Sequence, residues 1–121
     1  GIFGLGETTE DRIDMAFLLK ELEVDSVPLN FLVPIKGTPL ENAEQISALD
    51  AVKIIALFRL VLKDKTIKVA AGRETVLKGC EQNMFKAGAN GMMIGGYLTV
   101  KGHSLSEDQL LIEEIKKLWK T

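Results

Sequence analysis

Residues 26–41 read SVPLNFLVPIKGTPLE, an almost wholly apolar run that empties into a loop marked by Pro34, Gly37 and Pro39. A continuous apolar run of this length reads as a parallel strand buried on both faces. The loop after it is long for a strand-to-helix connection, and long loops at such a position usually carry function. Working outward, β-rich apolar segments open at Ile2, Val27, Ile67 and Met92, and each leads through a Gly- or Pro-marked loop into an amphipathic segment. The spacing is roughly 30 residues, the length of one βα unit of a parallel sheet. Four such units amount to half of an eight-stranded barrel, which takes about 250 residues in full. The expected fold is therefore α/β: four βα units spanning residues 1–121, the C-terminal half of a (β/α)8 TIM-type barrel. The chain opens directly on GIFGLGET with no strand or helix before it, so it reads as the second half of a longer enzyme.

The composition suits such a core. Apolar residues make up 46% and aromatics 6%, the balance of an interior built from Val, Ile, Leu, Ala and Gly. The net charge of −2 comes without a basic stripe, which argues against nucleic-acid binding. No apolar run reaches membrane-spanning length, and no signal peptide is expected from these residues. The lone Cys80 rules out an internal disulfide and suits a reducing cytoplasm.

Local signals place the elements. Thr8 or Thr9 caps a first helix that buries Ile13, Ala16, Phe17, Leu19 and Leu22, with Leu18 widening that face, and that ends near Val24. Pro28 cannot donate a ladder bond, so a bulge is expected within the second strand, residues 26–33. The second helix, about residues 43–62, is apolar on nearly every side and is expected to lie deep or to pack against further chain. The third strand covers residues 66–71. A third helix over residues 74–86 is C-capped by Gly88 and holds Cys80 away from the strand ends. Residues 91–94 form the fourth strand. Ser106 caps a last helix that buries Leu110, Leu111, Ile112, Ile115 and Leu118, with Trp119 as an anchor.

In a parallel barrel the active site lies at the C-terminal strand ends. That selects Glu7, Asn30, Arg73 and residues 95–100. Asn30 is an amide within an apolar strand and must find partners if it points inward. It either meets a ligand or fixes a bend in the strand. Arg73 ends an apolar strand with a cation that cannot lose its proton. It either serves the site or pairs with Glu7 or Glu74. The glycine-rich GGYLT that follows offers free N–H groups to a phosphate or carboxylate. His103 has no second ligand at metal-binding spacing and reads as a solvated loop residue. Cys80 and the methionines read as packing.

Taken together, GIFGLGET, SVPLNFLVPIKGTPLE, AAGRE, FKAGANGMMIGGYLT and the closing SEDQ resemble the C-terminal half of the biotin synthases. These belong to the radical S-adenosylmethionine (SAM) enzymes and carry a biotin and thiamin synthesis associated domain. The resemblance covers essentially the whole chain. It implies sulfur insertion into dethiobiotin, with SAM, a 4Fe–4S cluster and an auxiliary 2Fe–2S cluster as cofactors. It also implies a flavodoxin- or ferredoxin-type electron donor. By the same resemblance, Ile2 and Val33 line the adenosyl site of SAM, Asn30 meets the ureido ring of dethiobiotin, Arg73 ligates the 2Fe–2S cluster, and Thr99 and Val100 hold the substrate's tail carboxylate.

Three departures qualify this. The cysteines that bind the 4Fe–4S cluster are absent from these residues, as is the auxiliary-cluster cysteine that would lie just before Gly1. Cys80 matches no cluster cysteine. Val100 stands where the family often has a second threonine, so a backbone contact survives there and a hydroxyl contact does not. Three other readings compete: a related radical SAM protein of thiamin or hydrogenase-cofactor assembly, a non-catalytic half-barrel binding module, and an ordinary phosphate-binding barrel fragment. With two open sheet edges and an apolar inner face, the chain is expected to self-associate into a homo-oligomer. By itself it is expected to bind no cluster and to show no radical SAM activity.

Overall fold

The computed structural model describes residues 1–93 and Leu105–Trp119, with side chains in that last helix described for residues 109–116. The elements run β1 (Ile2–Phe3), α1 (Thr9–Glu21), β2 (Ser26–Phe31), α2 (Ala48–Leu62), β3 (Thr66–Val69), α3 (Arg73–Val76), α4 (Glu81–Ala87), β4 (Gly91–Met92) and α5 (Leu105–Trp119). The strands form one parallel sheet in the order β1-β2-β3-β4. The expected α/β alternation is therefore present, with each strand joined to its neighbour through helix.

The helices pack in a row, α1 on α2, α2 on α4, and α4 on α5. The core lies between that row and one face of the sheet. Along β2, Val27, Leu29 and Phe31 are buried, whereas Ser26 and Pro28 are exposed and Asn30 is half-buried. Along β3, Ile67 and Val69 are buried and Lys68 is exposed. Burial of both faces of β2 was expected, and among the described residues only one face is covered. Nor is the open face the apolar surface expected: Ser26, Pro28 and Lys68 stand there beside Ile2. Strand side chains alternate between faces, so a helix row on one side buries every second residue.

Pro28 causes no bulge. It stays in register with Lys68, and its carbonyl accepts from the Gly1 amine at 2.9 Å. Asn30 N–H likewise faces β1, donating to Gly1 O, while Leu29 O faces β3 and accepts from Ala70 N–H. The donor that proline lacks thus points towards β1, and no bond to β3 is lost.

Helix α1 begins with a capping box in which Thr8 Oγ1 accepts from Asp11 N–H and Asp11 Oδ2 accepts from Thr8 N–H. Of its expected core residues, Ala16 is buried, but Phe17, Leu18 and Leu22 are about half exposed or more. At the end of the row α1 has α2 as its helix neighbour on one flank, and the rest of its apolar surface faces outward. The second helix starts at Ala48, later than expected, with Ser47 as its cap. It is the central helix and buries Ala51, Ile54, Ile55 and Phe58, whose ring meets that of Phe3 edge-on at 5.5 Å. Leu60 remains 77% exposed.

The third expected helix is two short ones, because Gly79 takes a left-handed φ of 76° and Cys80 becomes the cap of α4. Gly88 is the C-cap foreseen. Arg59 of α2 reaches across to it, donating from Nε to Gly88 O at 2.8 Å and from Nη1 to Lys65 O at 2.8 Å and to Lys63 O. In α5, Ile115 is buried but Leu110 is exposed. Ser106, expected as the cap, falls inside the helix. The side chains of Leu118 and Trp119 lie outside the described residues, as does Ile94 of the expected fourth strand.

Candidate functional site

The C-terminal strand ends bring Ile2 and Asn30 together. Ile2 stands directly opposite Asn30 in the β1–β2 register, and the two share the uncovered face of the sheet. Ile2 is 56% exposed, an apolar side chain held in the open at a strand end. Asn30 is tied in place by its own amide: Oδ1 accepts from Ala71 N–H at 3.0 Å and Nδ2 donates to Gly1 O at 3.3 Å. The side chain therefore spans the end of β3 and the start of β1. A carboxamide has two N–H donors and two acceptor lone pairs. Among the described residues one of each is used. Val33 lies apart from this pair, partly buried against the core.

Arg73 does not end the third strand, which stops at Val69. It opens α3, after a turn made possible by Gly72. That glycine has φ of 86°, and a Cβ placed on it would stand 2.1 Å from Phe31 O, so only glycine lets the turn close against β2. Arg73 is fully enclosed, at 0% exposure. Its Nη1 donates to Glu81 Oε2, and its Nη2 donates to Glu74 Oε1 and to Met93 O, all at 2.9 Å. Of the two ion-pair partners weighed from the sequence, Glu74 is present and Glu7 is not. Glu81 was not foreseen. Its spacing of eight residues across a helix break carries no local signature.

Glu7 pairs instead with Arg12, whose Nε and Nη2 both lie 2.7 Å from Oε2. Burial pushes the Glu7 carboxyl up. The Arg12 bond and the N–H groups of Leu5 and Gly4 outweigh that and hold it below the usual range. Between this turn and the β2–α2 loop lies a cleft of about 450 Å3, lined by Gly4, Glu7, Arg12, Glu44, Ile46 and Asp50.

Cys80 is half-buried. Among the described residues no group of three or more His, Cys, Asp or Glu side chains is placed to hold a metal ion. No described helix is long and apolar enough to cross a membrane. Thr99, Val100 and the rest of residues 95–100 lie outside the described residues, as does His103.

Comparison with known proteins adds an independent line. The chain is 56% identical over 119 residues to the biotin synthase of Thermotoga neapolitana, covering 98% of this chain and 42% of that protein. It is 52% identical to the biotin synthase of Thermotoga petrophila, over 98% of this chain and 40% of that protein. Against the biotin synthase of Geobacter sulfurreducens it is 51% identical, over 95% of this chain and 35% of that protein. The chain thus spans about two fifths of the length of these curated relatives. Residues 28–116 match the family described as the Biotin and Thiamin Synthesis associated domain. With that match running from within β2 to within α5, the chain belongs to the biotin and thiamin synthesis associated domain family.

Proposed function

We propose that this chain is the C-terminal half of a biotin synthase, a radical SAM enzyme that inserts sulfur into dethiobiotin. On this reading the four-stranded sheet is half of a (β/α)8 barrel whose remaining strands close over the open face. The observation that carries it is the Ile2–Asn30 pair: an apolar contact and a half-satisfied amide, side by side at the strand ends. The relatives are biotin synthases, which favours this reading over thiamin or hydrogenase-cofactor assembly.

When bound, the cofactor supplies hydrogen abstraction from the substrate's unactivated carbons. This chain's residues bind and orient. Ile2 offers an apolar surface to the adenine of SAM. Val33, closer to the core, supports the adenosyl side from behind. Asn30 has one donor and one lone pair for a ureido ring, which carries both N–H and C=O groups. Thr99 and Val100 are assigned to the tail carboxylate. The arrangement around Arg73 does not fit direct ligation of a 2Fe–2S cluster, because Nη1 and Nη2 already serve two carboxylates and a carbonyl. We place Arg73 beside that cluster and assign it no step. The 4Fe–4S cluster and a flavodoxin- or ferredoxin-type donor belong to the rest of the enzyme, in a cytoplasmic homo-oligomer.

The test is substrate binding by the intact protein. Asn30→Leu removes the amide and leaves ureido groups unpaired, so dethiobiotin affinity should fall by about 1–3 kcal/mol while SAM affinity holds. Unchanged dethiobiotin affinity in this variant rules out the assignment.

A further inference from the structure

Lys68 is the one charged residue in the four described strands. It stands between the buried Ile67 and Val69 and is itself exposed, so its side chain leaves the sheet on the face opposite the helices. In register it forms one row with Pro28 of β2 and Gly91 of β4. Ser26, Asn30 and Thr66, the polar residues beside that row, are all neutral. Among the described residues Lys68 takes part in no ion pair. The row lies two residues before Asn30 along β2, towards the N-terminal strand ends. In a parallel barrel that end serves stability, while the chemistry takes place at the other.

The lysine stem has a direction. A Cβ placed on Gly91 would stand 3.5, 3.6 and 3.7 Å from Cγ, Cβ and Cε of Lys68. Cε is as near to that point as Cβ is, so the side chain runs over β4 and not back over Pro28. Gly91 leaves the room in which it lies. Among the described residues β4 pairs with β3 alone, and the ammonium is carried towards the free edge of the sheet. A lysine closed into an interior needs an opposite charge, because an unpaired buried ion is too costly to keep.

We infer that Lys68 is one half of an interior ion pair, and that its partner is an Asp or Glu side chain on the strands that close the barrel beside β4. The inference rests on the reading of the sheet as half of a barrel, in which those strands come from the portion of the protein outside these residues. The relatives are long enough to hold them, since this chain covers 42% of the Thermotoga neapolitana protein. The pair recognises the matching half by charge. A register that leaves the carboxylate away from Gly91 strands both ions.

The experiment uses the intact protein. Its lysines are acetylated with N-hydroxysuccinimidyl acetate and the rates read by mass spectrometry, with Lys63 and Lys86, exposed on the helix side, as references. Lys68 should react at least tenfold more slowly than either. Lys68→Met should then lower Tm by about 5–10 °C, because it leaves the partner carboxylate buried alone, and Lys68→Arg should restore most of the loss. The sign is decisive, since methionine in place of an unpaired buried lysine would be neutral or stabilising. Slow acetylation with Lys68→Met at or above the native Tm leaves the barrel standing and overturns the pair. Acetylation of Lys68 as fast as of Lys63 shows an open face, and the half-barrel reading fails with the pair. Should Lys68→Met not fold, Lys68→Gln and Lys68→Arg are compared. A folded Lys68→Arg beside a destabilised or unfolded Lys68→Gln supports the pair, and Lys68→Gln as stable as Lys68→Arg overturns it, as does failure of Lys68→Arg to fold.

Discussion

Replacing Arg73 by Met should be among the most destabilising single changes in this chain. Methionine keeps much of the bulk but removes the cation that Glu74 and Glu81 share. In the native arrangement each carboxylate accepts from the guanidinium at 2.9 Å, and their side chains are only 16% and 12% exposed. Removing one member of a buried ion group costs about 3–5 kcal/mol, because the remaining charge is left uncompensated. The residual solvent access of the two carboxylates screens part of this, so the lower end, about 3 kcal/mol, is expected. That corresponds to roughly 10 °C in Tm for a chain of this size. The triple change Arg73→Met, Glu74→Gln and Glu81→Gln removes the two carboxylate charges along with the cation and should recover much of the loss. Urea denaturation followed by circular dichroism at neutral pH measures both, with equal m-values confirming that the folded and unfolded states are comparable. A loss below about 0.5 kcal/mol for Arg73→Met, the size of an ordinary surface change, would refute the reasoning.

Three further outcomes follow from the structure. Gly72→Ala should cost about 2–4 kcal/mol in the same urea assay, since it combines a left-handed φ with a Cβ placed 2.1 Å from Phe31 O; a neutral effect would mean the turn is not closed in this way. Phe58→Ala should cost about 3–5 kcal/mol by opening a cavity beneath Phe3, and a loss under 1 kcal/mol, about that of a single buried CH₂ group, would contradict its burial. Glu7 has a folded pKa below its ordinary value of 4.5, so its contribution is fully present above that pH and is lost as pH falls through the folded value. The stability gap between the native chain and Glu7→Gln should therefore be constant above about pH 5 and shrink below about pH 4.5; an undiminished gap at about pH 3 would show that the ionised Glu7–Arg12 pair is not its source.

Much of the fold was legible because its signals are local. A capping threonine before an acidic first turn, a glycine where a helix must stop, and an apolar run after a turn are written within a few residues of the place where they act. Thr8 and Gly88 do what such residues do wherever they occur. The candidate site was legible in part for the same reason: Asn30 stands out as an amide in an apolar strand, and Arg73 as a cation after one. Their partners were not legible. Glu81 meets Arg73 only because Gly79 breaks the helix between them. Asn30 meets Ala71 only because β2 and β3 run parallel in one register.

By itself, the sequence determined the alternation of strand and helix, the caps at Thr8 and Gly88 and the family, since each depends on residue types and short spacings. Tertiary structure decided which face of the sheet is open, which apolar residues of α1 stay in solvent, and which carboxylate holds which guanidinium. Periodicity records that a residue is apolar, not what packs on it. Val27 and Pro28 are neighbours in one apolar run, and only the row of helices on one side makes the first core and the second surface. Phe17 and Leu22 carry the pattern of a buried stripe, yet burial needs a neighbour, and α1 has its described helix neighbour on one flank alone. Ion pairs are settled in the same way. Charge specifies that Glu7 and Arg73 each need a partner, and the turn that leads from β1 into α1, and the seating of α3 on β2 with α4 following it, choose Arg12 for one and Glu81 with Glu74 for the other.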